Sequence, residues 1–105
     1  MSNYILDGHA AIKEPDLMKW AQWFETGNRV VRKTTFETEN NSDIEVSTVF
    51  LGIDHSMSYN SSNPILFETM VFGGKLDQEM DRCTTWEEAE KMHAEMLEKV
   101  RNSIT

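Results

Sequence analysis

The chain has 105 residues and a formal net charge of −8, from 18 acidic and 10 basic side chains. This length fits one domain over residues 1–105 with a single hydrophobic core. Clustered cations bind a phosphate backbone, so the acidic balance argues against direct nucleic-acid binding. One cysteine excludes an intrachain disulfide, and no apolar run approaches the ~20 residues that span a bilayer. The first seven residues lack a signal-peptide pattern, so we expect a cytoplasmic protein.

The predicted elements begin with a short strand and a helix. Tyr4-Ile5-Leu6 is an apolar run that stops at Asp7-Gly8, which is typical of a short edge strand. Glu14-Pro15-Asp16 predicts a helix start, because proline suits the first turn and carboxylates favour the positive end of the helix dipole. The helix ends at Gly27-Asn28. Its predicted apolar stripe contains Leu17, Trp20, Ala21 and Phe24.

Three β-like segments follow, at residues 29–37, 44–53 and 65–72. A polar turn at residues 38–43 and a Ser- and Asn-rich loop at residues 54–64 separate them, and such short separations favour an antiparallel meander. The second and third segments become apolar on both faces, whereas a sheet with one solvated face alternates more cleanly. We therefore expect either helices over part of both faces or a second subunit against one face, as in a homodimer.

The last helix has the clearest start. Thr85 is followed three residues later by Glu88, which is the spacing of a capping box. The apolar stripe then contains Trp86, Ala89, His93, Met96, Leu97 and Val100. The sequence thus predicts an α+β fold, with a small antiparallel sheet of three to four strands and two helices in the order β-α-β-β-β-α.

Glu68 is the most unusual residue, because it lies in a strand segment that is otherwise nearly all apolar. A carboxylate held among apolar neighbours is a candidate for a general base or a ligand contact. The alternative is a carboxylate at the rim of the sheet or on an edge strand, satisfied by water or by an arginine.

Asp54, His55 and Tyr59 are candidate ligand contacts where the second β segment opens into the long loop. An adjacent Asp and His can form an acid–base pair or take part in a metal site. Alternatively, Asp54 caps loop amides and His55 is exposed. His93 is either a buried, hydrogen-bonded core histidine or part of a pocket with His55 and Glu68. The three histidines show no metal-binding spacing, so we predict no metal and no cofactor.

Trp23 and Cys83 complete the candidates. Trp23 lies to one side of the first helix's apolar stripe, so it is a candidate interface residue, since tryptophan is enriched at binding hot spots. Its alternative is packing against a neighbouring strand or loop. Cys83 lies near a helix start and an arginine, where the pKa of a thiol can be lowered; alternatively it is an incidental small residue.

Three stretches carry a resemblance to a known group, VSTVFLGIDH at residues 46–55, LFETMVFGG at residues 66–74 and TTWEEAEKMH at residues 84–93. Together with residues 4–8 and 17–25, they resemble a widespread group of small tailed-phage and prophage proteins. The resemblance covers most of the chain and implies a phage setting, but no chemistry. The chain departs from the group's pattern in longer loops around Asn40 and Asn60 and in Met92, where the group has glycine.

Three functions remain open. The first is a non-catalytic phage accessory protein that binds a host protein or a small ligand, such as a nucleotide signal, to counter host defence. The lack of a catalytic signature favours it over the second, a small enzyme or ligand pocket built on Glu68 with Asp54 and His55. The third is an acidic DNA mimic that inhibits a host protein; its weakness is that the acids are interleaved with bases, as on ordinary solvated helices.

Overall fold

The structure of this chain, a computed structural model, describes residues 2–39, 42–56 and 63–104. It is an α+β fold with two antiparallel sheets and two helices, which confirms the predicted class. The elements are β1 (Tyr4–Asp7), β2 (Ala10–Lys13), α1 (Leu17–Thr26), β3 (Val30–Phe36), β4 (Ile44–Phe50), β5 (Phe67–Phe72), β6 (Met80–Cys83) and α2 (Trp86–Ile104). The order is therefore ββαββββα, and the predicted order lacked β2 and β6.

Strands β1 and β2 form a separate antiparallel hairpin. Gly8 and His9 are its two loop residues, and Gly8 has a φ of 61°. A positive φ at the first loop position is the feature of a type II′ turn, which suits glycine and matches the twist of the flanking strands. Asp7-Gly8 therefore starts a chain reversal, where the sequence pattern predicted only the end of an edge strand.

The main sheet has the strand order β3-β4-β5-β6, and every neighbouring pair is antiparallel. The sheet has an inner and an outer face because side chains alternate along each strand. On the inner face, β4 and β5 place Thr48 beside Thr69, and both are buried. The buried inner positions of these two strands are Ile44, Val46, Thr48, Phe50, Phe67, Thr69 and Val71.

Helix α2 packs across all four strands of the inner face. The predicted capping box is present: the Glu88 amide donates to Thr85 Oγ1 at 3.1 Å, and the Thr85 amide donates to Glu88 Oε1 at 3.0 Å. The reciprocal pair fixes where the helix begins. The buried side of α2 contains Ala89, Met92, His93, Met96 and Val100.

The core between α2 and the sheet has two apolar clusters with polar side chains between them along β4. One cluster contains Ile44, Val46, Val71, Met96 and Val100, and the other contains Phe50, Leu66, Phe67 and Ala89. Thr48, Thr69 and His93 are the buried polar residues of the described chain. Buried polar side chains are tolerated in a core only when they are hydrogen-bonded.

Helix α1 packs at the same end of the sheet as the hairpin. Its Trp20 indole donates to the Tyr4 and Gly52 carbonyls at 3.1 and 3.0 Å. Trp23 contacts Phe50 edge-on, with ring centroids 5.6 Å apart. The apolar stripe predicted for this helix was partly wrong, because Leu17 and Ala21 are exposed while Trp23 is half-buried. The large aromatic side chains dominate the contact, so α1 turns its tryptophans inward.

The outer face of the main sheet is the side opposite α2. No helix or strand of the described residues packs against it. The expectation that helices cover part of both faces is therefore not met in this part of the chain. None of the described helices is long and apolar enough to cross a membrane.

Candidate functional site

A cleft of about 600 Å³ lies where the β1–β2 hairpin faces the N-terminal end of α2. It forms because the hairpin tip contacts the start of α2, where the His9 ring stacks on the Trp86 ring. The hairpin contributes Tyr4, Asp7 and His9, the segment before β5 and its first residue contribute Leu66 and Phe67, and the start of α2 contributes Thr85, Trp86 and Glu87.

One wall of the cleft is aromatic. The His9 ring stacks on the Trp86 ring, with centroids 3.9 Å apart and planes 8° from parallel. The Trp86 ring also meets Phe67 edge-on at 6.3 Å, and its Nε1–H donates to Glu90 Oε1 at 2.7 Å. Three contacts therefore hold the indole in place, and both stacked residues line the cleft.

The cleft is acidic. Asp7 and Glu87 line it, whereas neither lysine nor arginine does among the described residues. A helix N-terminus favours anions, but the first turn of α2 already carries Glu87 and Glu88, and the capping box occupies the Glu88 amide. Flat aromatic surface next to carboxylates suits a planar cation better than an anion.

Glu68 lies on the outer face of the sheet, away from this cleft. Arg82 of β6 lies opposite it across the strands, and Arg82 Nε donates to Glu68 Oε2 at 3.0 Å. The Glu68 side chain is 17% exposed. The arginine partner of the alternative interpretation is present, but β5 is not an edge strand, because it lies between β4 and β6.

Glu68→Gln is expected to change the free energy of unfolding by less than ~1 kcal/mol, because the pair with Arg82 reaches solvent. Urea unfolding of the wild type and the variant measures this difference. Ligand binding in the cleft should be unchanged. A loss above ~2 kcal/mol, or a loss of ligand binding, would show that Glu68 does more than pair with a neighbouring strand.

Asp54 and His55 close the base of the long loop. Asp54 Oδ1 accepts the amides of Ser56 at 2.8 Å and Ile65 at 2.9 Å. Partial burial, the largest single effect, raises the pKa of Asp54, but these hydrogen bonds and the nearby His55 together outweigh it, so that pKa lies below its ordinary value. His55 Nδ1–H donates to the Ile53 carbonyl at 2.7 Å. Tyr59, the third candidate here, lies outside the described residues.

His93 is 1% exposed and lies between α2 and the inner face of the sheet. Its Nδ1 is hydrogen-bonded to Thr48 Oγ1 at 2.7 Å and its Nε2 to Thr34 Oγ1 at 2.9 Å. Burial, followed by the charge of Arg32, lowers the pKa of His93, so the ring is neutral at pH 7. Since Glu68 lies on the outer face, the structure does not bring these two residues into one pocket.

The described residues contain no group of three or more His, Cys, Asp or Glu side chains placed to hold a metal ion. Trp23, the candidate interface residue, is packed within the chain against Phe50. The lowered thiol pKa considered for Cys83 is wrong: burial, followed by the charges of Glu88 and Asp81, raises its pKa to about 12. The thiol is therefore protonated at neutral pH.

No family model, curated protein or solved structure matches this chain. The resemblance to the phage group, and the setting that it implies, therefore stays a prediction.

The main residues of the cleft were not predicted from the sequence as site residues; they are Asp7, His9, Trp86 and Glu87. Trp86 was assigned to the apolar stripe of α2, and it does pack on Phe67. The Asp7-Gly8 pair was the available signal, because a turn followed by a second strand would have placed His9 at a hairpin tip. No local pattern shows which element that tip contacts.

Proposed function

We propose that this chain is a non-catalytic binding protein whose cleft receives a planar cation of the guanidinium type. The observation that carries the proposal is the stacked His9–Trp86 wall beside the carboxylates of Asp7 and Glu87. A guanidinium is planar, stacks on aromatic rings and pairs with carboxylates. No chemical step is needed for this function.

The guanidinium has two conceivable sources, an arginine side chain of a host protein and a small guanidinium compound of the host cytoplasm. Both agree with the predicted phage setting, in which a small accessory protein engages a host component. A nucleotide is a poorer candidate, because its phosphates would meet Asp7 and Glu87 without a lysine or arginine among the described lining residues.

The test is a calorimetric titration with N-acetyl-arginine amide and with N-acetyl-citrulline amide, its neutral isostere. For a single side chain we expect a Kd of about 1 mM for the arginine compound and binding at least ~10-fold weaker for the citrulline compound. Glu87→Gln should weaken arginine binding, whereas Glu25→Gln, an exposed site on α1 outside the cleft, is the matched control. Equal binding of both compounds, or tighter binding of adenosine monophosphate, would contradict the proposal.

Capture from infected-host lysate separates the two sources. The wild type and the Glu87→Gln variant are compared by mass spectrometry of retained proteins and of retained small molecules. A host protein that the variant loses identifies an arginine side chain as the ligand, and a guanidinium compound that it loses identifies a small ligand. Retention that is the same in both would count against the cleft as the binding site.

A further inference from the structure

The geometry points to the outer face of the main sheet as the docking surface for a second copy of this chain. This inference is independent of the proposed ligand, because the cleft is formed by the hairpin and the start of α2, whereas the outer face is the side of the sheet opposite α2. Three observations carry it: the apolar content of the face, its charge and its area.

The outer face exposes large apolar side chains on neighbouring strands. Val30 is paired with Val49 across β3 and β4, and Met70 with Met80 across β5 and β6. Val30 is 44%, Met80 is 44% and Phe72 is 45% exposed. Exposed apolar side chains on a sheet are what a sheet-on-sheet contact buries.

The charges of the face cancel within it. Lys33 Nζ lies 2.9 Å from Glu45 Oε1, and Arg82 Nε lies 3.0 Å from Glu68 Oε2. Two cations and two carboxylates give these strands' outer face a net charge of zero, so the charge of −8 lies on the rest of the chain. The acidic surface on the rest of the chain repels a second copy, whereas the outer face of the sheet carries no net charge and does not repel it. A basic partner would be drawn to the acidic surface instead.

The area of the face suits a small dimer interface. Three strands of six to seven residues and one of four residues, about 4.8 Å apart with about 3.3 Å per residue, give a face of roughly 350 Å². Two such faces bury about 700 to 1,000 Å² in total, which is the size of a weak, transient interface.

The test is sedimentation velocity on the full chain from 1 to 500 µM, concentrations of the order that a small interface requires. We expect a reversible dimer with a Kd of about 10–100 µM. Met80→Lys should raise the Kd at least ~10-fold. Met18→Lys is the matched control, because Met18 is a 78% exposed methionine on α1, and it should leave the Kd unchanged. Phe72→Lys is a second variant on the face, for use if Met80→Lys fails to fold by circular dichroism.

Salt dependence gives an independent readout. Because the face is neutral and the remaining surfaces repel, raising NaCl from 50 to 500 mM should leave the Kd unchanged or lower it. A strict monomer at 500 µM, equal effects of Met80→Lys and Met18→Lys, or a dimer that dissociates in salt would overturn the inference. So would a monomer whose Met80 surface binds a host protein.

Discussion

Replacing His93 with leucine is expected to lower the free energy of unfolding by about 2–4 kcal/mol. The ring bridges Thr48 and Thr34 from inside the core, and leucine removes both hydrogen bonds while leaving the two hydroxyls in place. A buried polar group that loses its partner keeps its desolvation penalty. Urea unfolding at pH 7 measures the loss. His55→Leu, at an exposed histidine, is the control and should stay within ~0.5 kcal/mol.

The same histidine gives the stability a pH dependence of known sign. The pKa of His93 is lowered from 6.5 by burial and by the charge of Arg32, so the unfolded chain binds a proton more readily than the folded one. The contribution of the neutral His93 ring to the free energy of unfolding is therefore fully present above about pH 6.5. It falls as the pH drops towards the folded pKa, with a slope of at most about 1.4 kcal/mol per pH unit. The pKa of Asp54 is also lowered, from an ordinary value of 3.8, so its contribution to the free energy of unfolding is lost only at pH values below about 3.8.

Urea unfolding at pH 5, 6 and 7 separates these contributions. The wild type should lose stability from pH 7 to pH 5, and His93→Leu should lose much less over that interval. If the variant and the wild type keep the same pH dependence, the groups that titrate in this window lie elsewhere in the chain.

Phe50→Ala is expected to be the most destabilising single substitution, with a loss of about 3–5 kcal/mol. Phe50 is fully buried, lies 5.3 Å from Phe67 and meets Trp23 at 5.6 Å, measured between ring centroids. Its removal leaves a cavity and also withdraws the surface on which α1 packs. Since small domains are stable by about 5–15 kcal/mol in total, the variant should be largely unfolded when warmed.

Phe72→Ala is the matched control, because the same side chain lies 45% exposed on the opposite face of the sheet. At protein concentrations of a few micromolar it should cost less than ~1 kcal/mol. Near-ultraviolet circular dichroism of Phe50→Ala should also show the loss of the Trp23 environment. Equal destabilisation by the two alanine substitutions would contradict the assignment of inner and outer faces.

The fold was predictable where local signals and burial agree. The capping box at Thr85 and the helical period after it located α2, and the two apolar segments at residues 44–53 and 65–72 located β4 and β5. Strands β2 and β6 were missed because Ala10–Lys13 and Met80–Cys83 are four residues long and mostly exposed. Such strands form because a neighbouring strand offers hydrogen-bonding groups, which is a tertiary effect.

The missed strands explain most of what the site prediction lacked. Glu68 was correctly recognised as unusual in its strand, but its partner Arg82 lies on β6. The cleft depends on β2, because the hairpin brings His9 against Trp86, a residue 77 positions later in the chain. Sequence spacing contains no information on a contact of that range. The burial of His93 in the core, by contrast, was one of two interpretations that its place on the α2 stripe allowed.

The cleft is tested most directly by a ¹H–¹⁵N correlation spectrum of the chain titrated with N-acetyl-arginine amide. We expect shifts confined to the amides of the residues around the cleft, at positions 4, 7–11, 66–67 and 84–87, and these shifts should be largely absent with the citrulline compound. Shifts concentrated on the outer face of the main sheet, or the same shifts with both compounds, would contradict it.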